Sequence, residues 1–143
     1  ARKTLGLRAD ARLLESVARS GETFDVVTLW HVLEHFADPY HALALVRDLL
    51  NDGGLCLIEV PNLHSLKFML AKNKWEGGNH PLYHRTFFTA TTLRRALAKT
   101  GFSKARRLQW SYRVPGRSNA YEHVKRLLNR VGLDAFLDFA AWK

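Results

Sequence analysis

The sequence predicts an α/β fold, a partial doubly wound, mostly parallel sheet with helices on both faces. Three observations within one stretch, Phe24 to Asn62, carry that expectation. Phe24 to Trp30 is almost continuously apolar and β-branched, as suits a parallel strand covered on both faces, and polar Gly21-Glu22-Thr23 precedes it. From Tyr40 the apolar residues Leu43, Val46, Leu49 and Leu50 recur at three- and four-residue spacing, which sets them on one helical face and turns Arg47 and Asp48 to water. A second apolar run, Leu55 to Val60, follows. Strand, helix, strand in that order is a βαβ unit. Open sheets of this kind bind ligands beyond the carboxyl ends of their strands, so Trp30, His31, Glu34 and His35 are the first candidates for chemistry.

Local signals define the other elements. Leu7 to Asp10 reads as a short strand ending in a polar residue, and Ala11 to Arg19 as a brief helix carrying Leu13, Leu14 and Val17. Asp38-Pro39 starts the central helix. Asn51-Asp52-Gly53-Gly54 stops it, because glycine accepts the left-handed conformation of a C-cap. Pro61-Asn62 ends the second strand, Leu66 to Ala71 forms a short helix, and Lys72 to Pro81, with Gly77-Gly78, reads as a flexible loop. Thr89 is an N-cap for a helix whose Leu93, Ala96 and Leu97 face inward and which Gly101 ends. Phe102 to Trp110 is a further strand. Residues 113–131 comprise a Pro/Gly/Ser linker and then a helix, Asn119 to Val131, with an apolar stripe of Tyr121, Val124, Leu127, Leu128 and Val131. Leu133 to Trp142 suits either helix or strand by its own pattern.

A chain of 143 residues with 47% hydrophobic content has the size of a single domain, 1–143, and enough apolar material for a core. No apolar run approaches the ~20 residues of a membrane span. The lone Cys56 excludes an internal disulfide framework, reads as a small core residue, and makes the cytoplasm the default compartment. The net charge of +9 comes from basic clusters that mostly alternate with apolar residues. A solvated basic face ranks first as its explanation, attraction of an anionic small molecule second, and nucleic acid or an acidic membrane surface last. Composition leaves the oligomeric state open.

The strand reading FDVV, the following HVLEH turn and the later GG-strand-PN segment resemble the class I S-adenosylmethionine-dependent methyltransferases. The resemblance is specific over Phe24 to Asn62 and looser through His80 to Thr89 and Leu93 to Trp110. It implies a Rossmann-like fold whose antiparallel last strand is Leu133 to Trp142. It also implies S-adenosylmethionine as cofactor and a small-molecule oxygen, nitrogen or carbon nucleophile as methyl acceptor. In that family a Gly-rich turn after the first strand cradles the cofactor, yet no GxG occurs here. The chain is therefore expected to be the carboxy-terminal two-thirds of such a domain, with weak cofactor affinity by itself.

The resemblance assigns Asp10 and Ala11 to adenine recognition and places His31, with Leu29 and Trp30, beside the cofactor. His35 is then the candidate general base, since imidazole's ordinary pKa of ~6.5 suits proton removal near neutral pH. Glu34, Asn62, Tyr83, His84 and Arg85 are candidates for the acceptor side, Arg85 as a bidentate grip on a carboxylate or phosphate. Each has a bland counterpart: histidines that cap a loop, a glutamate in solvent, a Pro-Asn turn, a polar surface loop. Some relatives bind a divalent ion near the Glu-His pair, but Glu34 and His35 are too few to define a site, and no metal ligand is assigned. Two rivals remain. His31-Val32-Leu33-Glu34-His35 matches the HxxEH zinc peptidase motif, which needs a long helix and a third ligand such as Glu76 or Glu122. A catalytically silent binding module is the other.

Overall fold

The structure, a computed structural model, describes residues 11–71, 83–109 and 118–143. Helix α1 (Leu14–Ala18) leads into strand β1 (Phe24–Trp30), a single 3-10 turn (Leu33–His35) and helix α2 (Pro39–Leu49). Strand β2 (Leu50–Pro61), helices α3 (Leu66–Ala71) and α4 (Ala90–Lys99), strand β3 (Lys104–Arg107), helix α5 (Asn119–Val131) and strand β4 (Phe136–Trp142) complete the order. The sheet runs β1-β2-β4-β3. β1 and β2 pair in parallel, and β4 inserts antiparallel to both β2 and β3. Three strands therefore share one direction and the last opposes them. That is the expected mixed sheet, and Phe136–Trp142 is strand rather than helix.

Capping explains the helix starts. Asp38 accepts hydrogen bonds from the Tyr40 and His41 amides at 3.0 Å each, with Pro39 in the first turn, where its missing N–H costs nothing. Thr89 and Thr92 form a reciprocal capping box on α4. Leu43, Val46, Leu93, Ala96 and Leu97 are buried, as their spacing requires. They pack against Ile58, Val60, Leu137 and Phe139 from the sheet and against Cys56, whose thiol burial pushes up to about 12 and so holds inert. Phe139 is fully buried at the centre. Phe139→Ala is expected to cost about 3–5 kcal/mol, read as a lower midpoint in urea denaturation.

Several sequence expectations are corrected. The central helix does not end on a glycine: its C-cap is Leu50 in extended conformation, and residues 51–54 already belong to β2. Gly53, at φ +75°, lies where the β1/β2 register slips between Phe24 and Val26, so its conformational freedom serves a bulge. β3 is shorter than the predicted Phe102 to Trp110. β1 is not covered on both faces, since Val26 is 50% and Trp30 46% exposed. Among the described residues β1 forms one edge of the sheet, and the five-residue α1 shields only part of it. The result is an open groove of about 390 Å³ lined by Leu14, Val17, Phe24, Val26, Val27 and Phe36. The strand expected at Leu7 to Asp10, and with it Asp10, lies outside the described residues, as do the loop at 72–82 and the linker at 113–117.

Charge is spent locally. Arg12 pairs with Glu22, Arg47 with Asp48 and Arg107 with Asp134, while Arg94 covers the Phe139 ring and Lys104 the Trp142 ring. These five cations are packed onto neighbouring groups. No helix among the described residues is long and apolar enough to cross a membrane.

Candidate active site at the carboxyl end of β1

Where β1 ends, the chain makes one abrupt change of direction. His31 still donates its amide to the Glu59 carbonyl at 3.0 Å, extending the ladder by one rung, but its own φ is +52°. A left-handed backbone at a non-glycine residue costs about 1–3 kcal/mol, and such strain concentrates at functional sites. The 3-10 turn follows at once. Leu33, fully buried, pins that turn to the core. Glu34 is carried inward with it, and its carbonyl accepts from the amides of Arg85 (2.9 Å) and Thr86 (3.1 Å). Those two bonds strap residues 83–88 across the turn. Asn62 and Phe88 bridge the same strap to the end of β2.

The strap brings four sequence candidates together. Glu34 is 1% exposed and not in solvent, and neither of its carboxylate oxygens accepts a hydrogen bond. His31 Nδ1 lies 3.4 Å from Glu34 Oε1, and His35 Nε2 lies 4.0 Å from it. The His35 and His84 rings sit 4.8 Å apart between centroids, and the buried Nδ1 of His84 is also without a partner. A buried carboxylate with no donor is costly unless a cation or a bound group faces it. Glu34, His35 and His84 each offer one ligand atom, all within 4.8 Å of one another. The third candidate ligand, missing from the local sequence pattern, therefore comes from the strap 49 residues away.

His35 has a defined tautomer. Its Nδ1 lies 2.7 Å from the Tyr83 carbonyl, which can only accept, so Nδ1 carries the hydrogen. In the neutral ring Nε2 is then left with its lone pair, on the side facing Glu34. His31 is held differently: Nε2 meets Glu59 Oε1 at 3.0 Å, and the ring packs edge-on against Phe136. Glu59 in turn pairs across the β2/β4 ladder with Asp138. Burial, then the hydrogen bond and charge of Glu59, push the Asp138 carboxyl up to about 7. Neither acid was singled out from the sequence. The signal was present: each is a lone acid inside an apolar strand, in Leu55 to Val60 and in Phe136 to Trp142.

Asn62 belongs to the scaffold. Its amide donates to the carbonyls of Gly132 (3.1 Å) and Asp134 (2.9 Å), and its Oδ1 accepts from the His64 amide at 3.0 Å. It staples the end of β2 to the loop before β4, where Gly132 takes the left-handed conformation at φ +81° and a Cβ would meet the tip of the Arg107 side chain. Tyr83 and Arg85 have exposed side chains at the rim of the cluster, Leu29 is buried beneath it, and Trp30 stands partly open beside it. Ala11 is exposed ahead of α1.

A parallel βαβ unit, an antiparallel final strand and a polar cluster at the carboxyl end of β1 leave one comparison to make. The sequence profile of the family described as Methyltransferase domain matches residues 7–107. The chain belongs to that family. As a methyltransferase-domain chain it has relatives named ubiquinone biosynthesis O-methyltransferase. One, from Cereibacter sphaeroides, is 41% identical over 68 residues, covering 46% of this chain and 28% of the relative. Another, from Roseobacter denitrificans, is 30% identical over 135 residues, covering 83% of this chain and 54% of the relative. The chain thus spans from about a quarter to half the length of these curated relatives. Among solved structures, the plantazolicin methyltransferase BamL, in complex with a triazolic desmethylPZN analog and SAH, superposes with a TM-score of 0.63 at 16% identity. That match covers 99% of this chain and 62% of the other. A likeness at that identity speaks for the Rossmann-like methyltransferase fold.

The HxxEH reading loses its geometric basis in this methyltransferase-domain fold. His31 ends a strand and His35 ends a single 3-10 turn, so the motif is not two ligands stacked on one long helix. The metal-capable trio leaves His31 out, Glu122 is buried on α5, and Glu76 lies outside the described residues.

Proposed function

We propose that the cluster at the carboxyl end of β1 serves S-adenosylmethionine-dependent methyl transfer to a hydroxyl of a small-molecule acceptor. The observation that carries this reading is the buried Glu34 carboxylate, without a hydrogen-bond donor and ringed by His31, His35 and His84. The relatives' names favour oxygen as the methylated atom, and a quinone-type phenol fits an imidazole base. Part-open Trp30 and half-exposed His31 offer aromatic ring faces suited to a nucleoside, and so fit the cofactor; Leu29 and Ala11 complete the expected contacts, and Asp10 is assigned with them. When bound, the cofactor supplies an electrophilic methyl group on a sulfonium. The residues of this chain do the rest. Nε2 of His35 would take the proton of the acceptor's hydroxyl, while the Tyr83 carbonyl holds the imidazole by Nδ1–H. Arg85, exposed at the rim, grips a carboxylate or phosphate if the acceptor is anionic.

A second reading of the same cluster is that Glu34, His35 and His84 would hold a divalent cation that polarises the acceptor oxygen and lowers the pKa of its hydroxyl; Nε2 of His35 would then be a ligand and the cation, in place of His35, would activate the hydroxyl. Calorimetric titration with Mn²⁺ or Zn²⁺ is expected to show one site, weakened about 10- to 100-fold or more in His84→Ala. Heat changes that are identical in the variant would remove the cation from the proposal. A cytoplasmic location, where a free thiol stays reduced, belongs to the same reading. Calorimetry with S-adenosylmethionine, followed by an assay on catechol-type acceptors, tests the whole. Cofactor binding without turnover of any acceptor points instead to a silent binding module.

A further inference from the structure

Helix α5 is mounted backwards. Its 13 residues segregate cleanly, with Tyr121, Val124, Leu127, Leu128 and Val131 within one arc and polar residues around the remainder. A helix of a globular domain normally turns such a stripe to the core. Here Glu122 and Asn129, on the opposite side, are the buried residues, at 4% and 6% exposure. Tyr121, Val124, Leu127 and Val131 stand 44–60% exposed. The helix is properly finished at both ends: Ser118 caps it by accepting from the Tyr121 amide, and Gly132 closes it in the left-handed conformation. Its orientation is therefore a feature of a well-formed element. Asn62 and the Arg107–Asp134 pair hold the loop after it in place.

The rim of the stripe identifies its occupant by charge. His123 flanks the stripe on one side with Arg130 next to it, both exposed, and Lys125 flanks it on the other; Arg126 lies further round, beside the inward-facing Glu122 and Asn129. The only acid on the helix is Glu122, and it faces inward. We propose that α5 lies on an anionic lipid surface, its apolar stripe in the interfacial layer and its basic rim against the headgroups. A second copy is a poor occupant. A two-fold contact through this stripe would set two basic rims against each other in a chain of net charge +9. An anionic bilayer offers the complementary charge and an unbounded apolar layer. The inference is independent of the catalytic reading, since none of these residues belongs to the methyl-transfer site.

The test is co-sedimentation of the full chain with large unilamellar vesicles. One set is pure phosphatidylcholine, the other an equal mixture with phosphatidylglycerol. Binding is expected to the mixed vesicles only and to weaken as salt is raised from 50 to 300 mM, on the order of the Debye-length change that screens a basic rim. Val124→Glu/Leu127→Glu is expected to lower it at least about 10-fold with an unchanged circular dichroism spectrum, because both side chains are already in water. Lys125→Glu/Arg130→Glu is expected to lower it about 20-fold or more, from roughly fivefold per basic residue at such a surface. Equal binding of wild type and the Val124/Leu127 variant overturns the proposal. So does equal binding to the two vesicle types, or absence of vesicle binding together with a dimer in sedimentation equilibrium that the same variant dissociates.

Discussion

Replacement of His35 by alanine is expected to lower methyl transfer about 10²- to 10⁴-fold, the usual contribution of a positioned general base, while cofactor affinity stays within about twofold. The split follows from position. His35 ends the 3-10 turn, with Nδ1–H committed to the Tyr83 carbonyl and Nε2 left to take a proton. Trp30 and His31, on the strand end itself, are the residues proposed to face the cofactor. The loss should appear in kcat with little change in the KM for cofactor, and added imidazole should restore part of the rate. A structural role for the ring would instead lower the thermal midpoint and leave imidazole without effect. Turnover equal to wild type would remove His35 as the base.

Asp138→Asn is expected to flatten the pH dependence of folding and to raise stability at pH 8 by about 1–3 kcal/mol. Asp138 faces Glu59 across the ladder, with Asp134 beside it and Arg107 opposing them. Its carboxyl moves from the ordinary 3.8 up to about 7, first through burial and then through Glu59. The folded state therefore binds this proton more tightly than the unfolded chain does. Its stabilising contribution is complete below about 4 and is lost as pH rises through about 7. At ~1.4 kcal/mol per tenfold in proton affinity, the interval bounds the effect near 4 kcal/mol. Asp134, also raised by burial, acts with the same sign. Urea denaturation at pH 5 and pH 8 measures it, and an unchanged slope in the variant would refute the assignment.

The parts that were legible rest on short-range rules. Thr89 and Asp38 cap the helices they precede, the Leu93, Ala96, Leu97 spacing buries one face of α4, and Leu66–Ala71 is a helix as its residues suggest. In each case partners lie within about four residues, so the pattern of the chain contains both sides of the interaction. The HVLEH segment was legible as a turn at a strand end for the same reason: a strand and its following turn are contiguous. What failed was also local in origin. Gly53-Gly54 suggested a C-cap, but pairing with β1 drew residues 50–54 into β2, and that partner lies some 25 residues upstream.

Order along the chain, strand direction up to the last element, the Asp38 and Thr89 N-caps and the position of the imidazole pair were thus determined by the sequence alone. Whether Glu34 faces water or a buried cluster was not, because the strap that buries it arrives through amides of Arg85 and Thr86. Nor was the recruitment of His84, the commitment of Asn62 to a scaffold, the Glu59–Asp138 pair, or the outward turn of the α5 stripe. All five depend on contacts between segments about 50 or more residues apart, or on which side of a helix the rest of the protein offers. Periodicity reveals that a helix has two faces; only packing decides which of them meets the solvent.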